Sequence, residues 1–173
     1  MRGSPFMNER GFISPGLPWD KSLDGLTTEG KGRLTKVYQD LSCAVDALGM
    51  CKFPLYFGKT DLKWLADFYG AITGWNVNLN DLLLAGERIW NLQRAFNVIL
   101  GVTRRDDTLP DRFLKESVSD GAVKGEVVDL EPMLKDYYLE RGLDDNGKPS
   151  REKLEELGLK EVADALSEEG KPV

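Results

Sequence analysis

The sequence predicts an all-α fold, and three observations support this prediction. Apolar residues recur at the spacing of an amphipathic helix along several stretches. Residues that favour helix N-termini precede several of these stretches, and glycines follow their ends. The first stretch is the clearest example. Its apolar stripe consists of Leu34, Val37, Tyr38, Leu41, Ala44, Val45 and Leu48.

The length and composition are those of one globular domain. The chain has 173 residues, of which 41% are hydrophobic and 30% charged, enough for a sizeable core. We divide it into a leader and irregular linker (1–27), a single helical domain (28–167) and a frayed polar tail (168–173). The first six residues resemble an expression leader, with Met7 as the expected native start.

The first two predicted helices flank an aromatic loop. The first helix begins at Thr28 or a neighbour and ends at Gly49. Residues 52–58 are apolar and broken by Pro54, which favours a buried loop over a strand. Thr60 is a suitable N-cap for the second helix, which Gly74 ends. Its expected buried stripe is Leu62, Leu65, Phe68, Tyr69 and Ile72.

The third helix is the longest, and it contains one unexpected glycine. It opens at Asn78, with Asp81 three residues later, and runs to Gly101. Gly86 lies inside it and should cost about 1 kcal/mol relative to alanine. Either a close backbone approach or a helix break would explain this glycine. The helix runs through Leu79, Leu82, Leu83, Ile89, Trp90, Phe96 and Leu100.

A dense polar segment follows at residues 103–108. The residues alone favour a solvated loop, with a structural network of Arg–Asp pairs as the alternative. Residues 109–113 are expected to form a helical turn or an extended link, and residues 118–128 to hold one short extended piece.

The rest of the sequence, from Asp129 onward, predicts three shorter helices. Asp129 can cap a fourth helix that ends at Gly142 and buries Leu130, Met133, Leu134, Tyr137 and Tyr138. Residues 144–147 carry a turn signal without the other ligand positions of an EF-hand loop. Ser150 caps a short helix stopped by Gly158, and a last helix uses Val162, Ala163 and Leu166.

Composition excludes several function classes. The formal net charge of −6 argues against binding to a nucleic-acid backbone, and no apolar run is long enough to span a bilayer. The sequence has no histidine, which excludes catalytic Ser-His-Asp and Cys-His arrangements within it. Its two cysteines, Cys43 and Cys51, do not form a disulfide framework, and we expect a reducing cytoplasm.

The candidate site is the segment from Asp46 to Cys51, where the first helix ends. A carboxylate in the last turn opposes the helix dipole, and Lys52 can offset part of this effect. A thiol follows directly after the helix stop. The residues alone leave open that Asp46 is simply solvated and Cys51 simply buried.

Several motifs, in order, resemble one family. The segment 46–51 is similar to the D-x-x-G-L-C motif of the tungsten-containing aldehyde ferredoxin oxidoreductases. Residues 86–92, 94–98, 104–113, 133–138 and 154–159 follow the C-terminal region of that family in the same order. The resemblance runs from about Gly30 to Leu159 and implies the C-terminal helical domain of a longer enzyme.

The resemblance implies cofactors and site residues. The family holds tungsten between two pterins beside a [4Fe-4S] cluster and passes electrons from aldehyde oxidation to ferredoxin. By the match, Asp46 contacts a pterin and Cys51 is the fourth cluster ligand. Met50 is the third cofactor-binding residue that the match implies, and it replaces the usual leucine with little change in volume. The family's C-x-x-C-x-x-x-C segment is absent from this sequence, so we expect the isolated chain to lack cofactors and activity.

The expected partners are the upstream cofactor-binding domains and, through the full enzyme, ferredoxin. The alternative hypotheses are a non-catalytic helical module that pairs with a separately encoded catalytic half, and a generic helical domain with no redox role. We expect Asp46 and Cys51 to be exposed. If aromatic residues near them face the missing domains, the isolated chain should self-associate. These residues are Phe53, Tyr56, Phe57, Trp64, Phe68, Trp75, Trp90 and Phe96.

Overall fold

The computed structural model describes residues 26–52, 62–121 and 123–168. Within these ranges the regular secondary structure is helical, which confirms the all-α prediction. An isolated bridge joins Leu143 and Pro149. The helices are α1 (Lys31–Ala47), α2 (Lys63–Thr73), α3 (Leu79–Ile99), α4 (Asp111–Lys115), α5 (Leu130–Arg141), α6 (Arg151–Glu156) and α7 (Lys160–Glu168).

Helix α1 is the centre of the fold, since it packs against both α3 and α5. Helix α3 also contacts α2 near one end of the domain and α7 near the other. Two clusters of buried apolar side chains result. The larger one contains Leu41, Ala44, Val45, Leu62, Leu65, Ala66 and Leu82. The smaller one contains Ala95, Leu154, Ala163 and Leu166.

Two glycines allow α1 to lie unusually close to its neighbours. A Cβ atom on Gly86 would collide with the backbone carbonyl oxygen of Asp40, where α3 crosses α1. A Cβ atom on Gly32 would lie 2.6 Å from the backbone carbonyl carbon of Asp136 in α5. Because α3 is continuous through Gly86, the close approach explains this glycine and the helix break does not.

The predicted helix ends are largely confirmed, with one shift and one exception: Asp129 directly precedes α5, but its side chain makes no capping hydrogen bond. Asn78 and Asp81 form a capping box at the start of α3, and Ser150 accepts a hydrogen bond from the Lys153 amide. Helix α1, however, begins at Lys31 and not near Thr28. Its first turn has a carboxylate from another helix, because the Asp136 Oδ2 atom accepts a hydrogen bond from the Gly32 amide at 2.9 Å.

The predicted burial of two apolar side chains on α2 is wrong. Phe68 and Ile72 are exposed, as are Phe96 on α3 and Leu100 just after it. Helical periodicity identifies an apolar face but not the element that covers it. The predicted Thr60 cap and most of the loop 52–58 lie outside the described residues.

The connecting segments mostly follow the prediction. Residues 109–113 run into the short helix α4, and beyond it the Val118 amide donates to the Glu126 carbonyl at 3.0 Å. Asp144 organises the predicted turn, since its Oδ1 atom accepts from the amides of Asn146 and Lys148. None of the helices in the described ranges is long and apolar enough to cross a membrane.

Candidate functional site

The turn after α1 is held by the chain's own backbone. The Gly49 amide donates to the Asp46 carbonyl at 3.0 Å, and the Met50 amide donates to the Val45 carbonyl at 3.2 Å. This pair of bonds is a Schellman motif, and it needs a left-handed residue. Gly49 supplies it with φ of 67°. The turn directs the chain out of the core at the position that the sequence analysis singles out.

Asp46 and Cys51 are both exposed, as the sequence predicts. The Asp46 carboxylate forms an ion pair with Lys52, with 2.8 Å between Oδ2 and Nζ. This pair places a positive charge beside a carboxylate that opposes the helix dipole, as expected. One oxygen of Asp46 thus has a partner on the far side of the turn, and its side chain remains largely accessible.

Met50 lies between them and points inward. Its side chain is partly buried and packs against the larger core cluster. A hydrophobic residue at this place in a Schellman motif commonly contacts the last turn of the helix. Met50 therefore anchors the turn, and the cofactor contact that the sequence analysis gave it remains a prediction.

The two cysteines differ in environment. Both are free, but Cys43 is partly buried along α1 whereas Cys51 is exposed. Burial raises the pKa of the Cys43 thiol, and the nearby Asp40 carboxylate raises it further. Cys43 is therefore a protonated thiol at neutral pH, and Cys51 is the accessible sulfur.

A shallow groove runs along the face of α1 that leads to Asp46. Residues of α1 and one aromatic ring of α3 line it: Leu34, Thr35, Tyr38, Gln39, Ser42, Cys43 and Trp90. Cys43 and Asp46 are three residues apart on the helix, so they share one side of it. Asp46 is therefore about one helical turn beyond the lining residue Cys43, on the same side of α1.

A buried ionic junction fixes the other side of α1. Arg141 of α5 is fully buried and pairs with Asp40, while its Nη2 atom donates to Gln39 at 2.8 Å. The guanidinium lies 4.0 Å from the centre of the Trp90 ring, a cation–π distance. Lys36 bridges Asp40 and Glu87, at 3.0 Å to each.

This junction was not predicted from the sequence, although the sequence contains a signal for it. Asp40 falls within the apolar stripe of α1, three residues after Val37 and one before Leu41. Arg141 follows Tyr137 by four residues on the buried face of α5. Charged residues at core-facing helix positions predict buried pairs, because a lone buried charge is very unfavourable.

The polar segment 103–108 does form a network, but its partners lie elsewhere in the chain. Arg94 of α3 binds both carboxylate oxygens of Asp107, with 2.8 Å between Nη1 and Oδ1. The Tyr138 hydroxyl donates to the same carboxylate. Arg104 pairs with Glu131 at 2.7 Å. These pairs join α3 and α5 to the loop, so they stabilise the fold.

The described residues supply a limited set of metal ligands. Across the described ranges, no group of three or more histidine, cysteine, aspartate or glutamate side chains could hold a metal ion. Cys51 can therefore offer one thiolate to a cluster whose other ligands come from elsewhere. Asp46 offers a carboxylate that can accept two parallel hydrogen bonds.

The family model and two of the relatives that match this sequence carry the same family name. Residues 1–159 match the family model described as aldehyde ferredoxin oxidoreductase, domains 2 and 3. Over 155 residues, the chain is 41% identical to the tungsten-containing aldehyde ferredoxin oxidoreductase of Thermococcus kodakarensis and 42% identical to that of Pyrococcus furiosus. Each match covers 87% of this chain and 25% of the relative, so the chain spans about a quarter of their length.

Two more distant similarities add to this. An aliphatic sulfonate oxidoreductase, WOR-like subunit, from Pyrococcus furiosus is 34% identical over 129 residues, which cover 68% of this chain and 20% of the relative. The solved active-site complex BamBC of benzoyl coenzyme A reductase has a TM-score of 0.69 at 24% identity. It covers 92% of this chain and 24% of the solved chain, and it shows the likeness of fold.

Proposed function

The chain belongs to the aldehyde ferredoxin oxidoreductase family, and on this basis we propose that it forms the C-terminal part of such an enzyme. In this role it supplies one pterin contact and one cluster ligand to the oxidation of aldehydes to carboxylic acids, with electrons passed to ferredoxin. The chain is not catalytic alone. The observation that carries the proposal is the exposure of Asp46 and Cys51 at one fixed turn within a family match.

The chemistry of the two side chains fits these roles. Cys51 is exposed and unpaired, as a ligand to a cluster built on another part of the protein must be. The Asp46 carboxylate is accessible and can accept the adjacent N–H donors at the edge of a pterin. Asp46 and Cys51 are five positions apart in the sequence, so one segment can contact both redox groups.

The chain's own residues position these groups. Met50 anchors the turn in the core, and Lys52 holds one oxygen of Asp46. When bound, tungstopterin and the [4Fe-4S] cluster supply the two-electron oxidation and the one-electron transfers that amino-acid side chains cannot. The contribution of this chain is to place a thiolate and a carboxylate beside those groups.

The relatives favour aldehydes as the substrate class. The four matches at 40–42% identity carry the aldehyde name, while the sulfonate enzyme is 34% identical. The upstream domains and ferredoxin remain the proposed partners, and a cytoplasmic location remains a prediction.

A hybrid enzyme tests the proposal. The chain would replace the matched 155 residues of the Thermococcus kodakarensis relative, and iron, tungsten and visible cluster absorption would be measured. We expect the hybrid to bind both metals, Cys51→Ser to lose the cluster absorption, and Asp46→Asn to lower the tungsten content.

Cys43→Ser is the matched control, because it makes the same cysteine-to-serine change within α1 and leaves the turn that carries Cys51 unaltered. It should leave both metals in place. A Cys51→Ser hybrid that retains a full cluster spectrum would show that this thiol is not a ligand.

A further inference from the structure

Helix α3 and the residue just after it carry a line of exposed side chains. Every fourth residue from Leu84 to Leu100 belongs to it, and we name this set the α3 ridge. Its members are Leu84, Arg88, Leu92, Phe96 and Leu100. The four apolar members are between 48% and 67% exposed.

The geometry of the ridge is that of a helix-packing surface. Side chains four residues apart form a continuous ridge, and such ridges fit into the grooves of another helix in the commonest class of helix packing. Sixteen residues of helix span about 24 Å, a length sufficient for a stable contact. Single exposed apolar side chains are ordinary on protein surfaces. Several of them along one face of a helix mark an interaction site.

The charge pattern of the ridge also differs from the rest of the chain. Among residues 84–100, Arg88 is the one exposed residue with a charged side chain. The whole chain, by contrast, has 29 acidic residues and a formal net charge of −6. Depletion of charge at the centre of a patch is characteristic of interfaces.

We propose that the α3 ridge packs against an apolar helical surface in the remaining three quarters of the enzyme. This inference rests on the proposed function and names the contact surface of the same partner. The relatives are about four times as long as the matched region, so most of each relative is available to cover the ridge. Two copies of this chain would both carry −6, which opposes their close approach.

Thiol labelling measures whether the ridge is covered. Leu92→Cys and Phe96→Cys would be made separately, in the isolated chain and in the hybrid with the Thermococcus kodakarensis enzyme, and alkylation at each position followed by mass spectrometry. Both ridge thiols should react quickly in the isolated chain. In the hybrid they should react about tenfold more slowly or less, because a covered thiol reacts only when the contact opens.

Leu139→Cys is the matched control. Leu139 is exposed on α5, away from the ridge and next to charged residues, so a thiol there should react equally fast in both proteins. Equal reactivity of the ridge thiols in the two proteins would overturn the inference. So would protection in the hybrid that grows with the concentration of the hybrid, because the occupant would then be a second copy.

The outcome separates the two proposals. A hybrid that binds iron and tungsten but leaves the ridge thiols reactive would contradict the proposed contact surface and support the proposed function. A hybrid that protects the ridge thiols but binds neither metal would do the reverse. A hybrid that is insoluble with the unmodified chain would overturn both, since the chain would not replace the matched quarter of the relative.

Discussion

Two neighbouring regions, at Asp40 in α1 and at the turn that follows α1, differ in how their polar side chains are paired and buried. Around Asp40, every charge meets an opposite charge from another helix, and Arg141 is completely enclosed. Around Asp46 and Cys51, the side chains face solvent, and the chain itself uses little of their chemistry. The difference separates residues that the fold requires from residues that are available for another role.

The contrast is tested most severely by Arg141→Ala. Removing the guanidinium leaves the Asp40 carboxylate buried with Lys36 alone, and a broken buried pair costs about 3–5 kcal/mol. Urea unfolding followed by circular dichroism would measure this loss. Arg112→Ala, at an exposed position, should change stability little. Equal effects of the two substitutions would show that the junction does not stabilise the fold.

Gly86→Ala should be the next most destabilising. Alanine favours a helix by about 1 kcal/mol over glycine, but here its Cβ atom would collide with the Asp40 carbonyl oxygen. We expect a net loss of about 2–3 kcal/mol, as for other overpacked contacts. Gln93→Ala on the exposed side of the same helix is the control. An unchanged or raised midpoint for Gly86→Ala would show that α1 and α3 can separate freely.

Tyr138→Phe should have a smaller effect that depends on pH. Its hydroxyl donates to Asp107, and a hydrogen bond to a charged group contributes about 1.5–3 kcal/mol. Burial and the Asp107 carboxylate raise the pKa of Tyr138 above its usual value of 10.0. The unfolded chain therefore loses this proton first, and the stability from Tyr138 is complete below pH 10 and declines above it.

The measurement is urea unfolding of both proteins at several pH values from 8 to 11. The gap between wild type and Tyr138→Phe should narrow as pH rises above 10. A gap that stays constant or widens would show that the hydroxyl proton is not held by Asp107.

Cys51→Ser and Asp46→Asn should have the smallest effects on folding. Exposed substitutions away from packing contacts usually change stability by less than about 0.5 kcal/mol. Thermal unfolding of the isolated chain should show both variants close to wild type. A loss of about 2 kcal/mol or more in the free energy of unfolding for either variant would show that the fold requires that residue, as it requires the Asp40 region. The contrast between the two regions would then disappear.

The sequence predicts the helix ends better than the helix faces. Asn78, Ser150 and Gly49 each act through bonds to neighbouring residues, so their effect can be read locally. The start of α1 could not be predicted in this way, because Asp136 lies 104 positions from Gly32. Phe68 and Ile72 were assigned to the core because periodicity does not reveal what covers a face.

The candidate site was predicted in part. The exposure of Asp46 and Cys51 was expected because the resemblance requires both to reach cofactors held by another part of the protein. The inward position of Met50 and the isolation of Cys43 depend on packing that the motif does not encode. The cofactor roles of Asp46, Met50 and Cys51 remain predictions.

The Schellman turn at Gly49 has a consequence for the order of assembly. Its backbone bonds and the Met50 contact are made by protein atoms alone, unlike the fold of a zinc finger, which depends on its ion. If Cys51 is the proposed cluster ligand, the chain itself shapes the segment that carries it, and we expect cofactor insertion to drive little local refolding. A chelator that strips the cluster from the assembled enzyme should leave this segment in its native shape, ready to be reloaded.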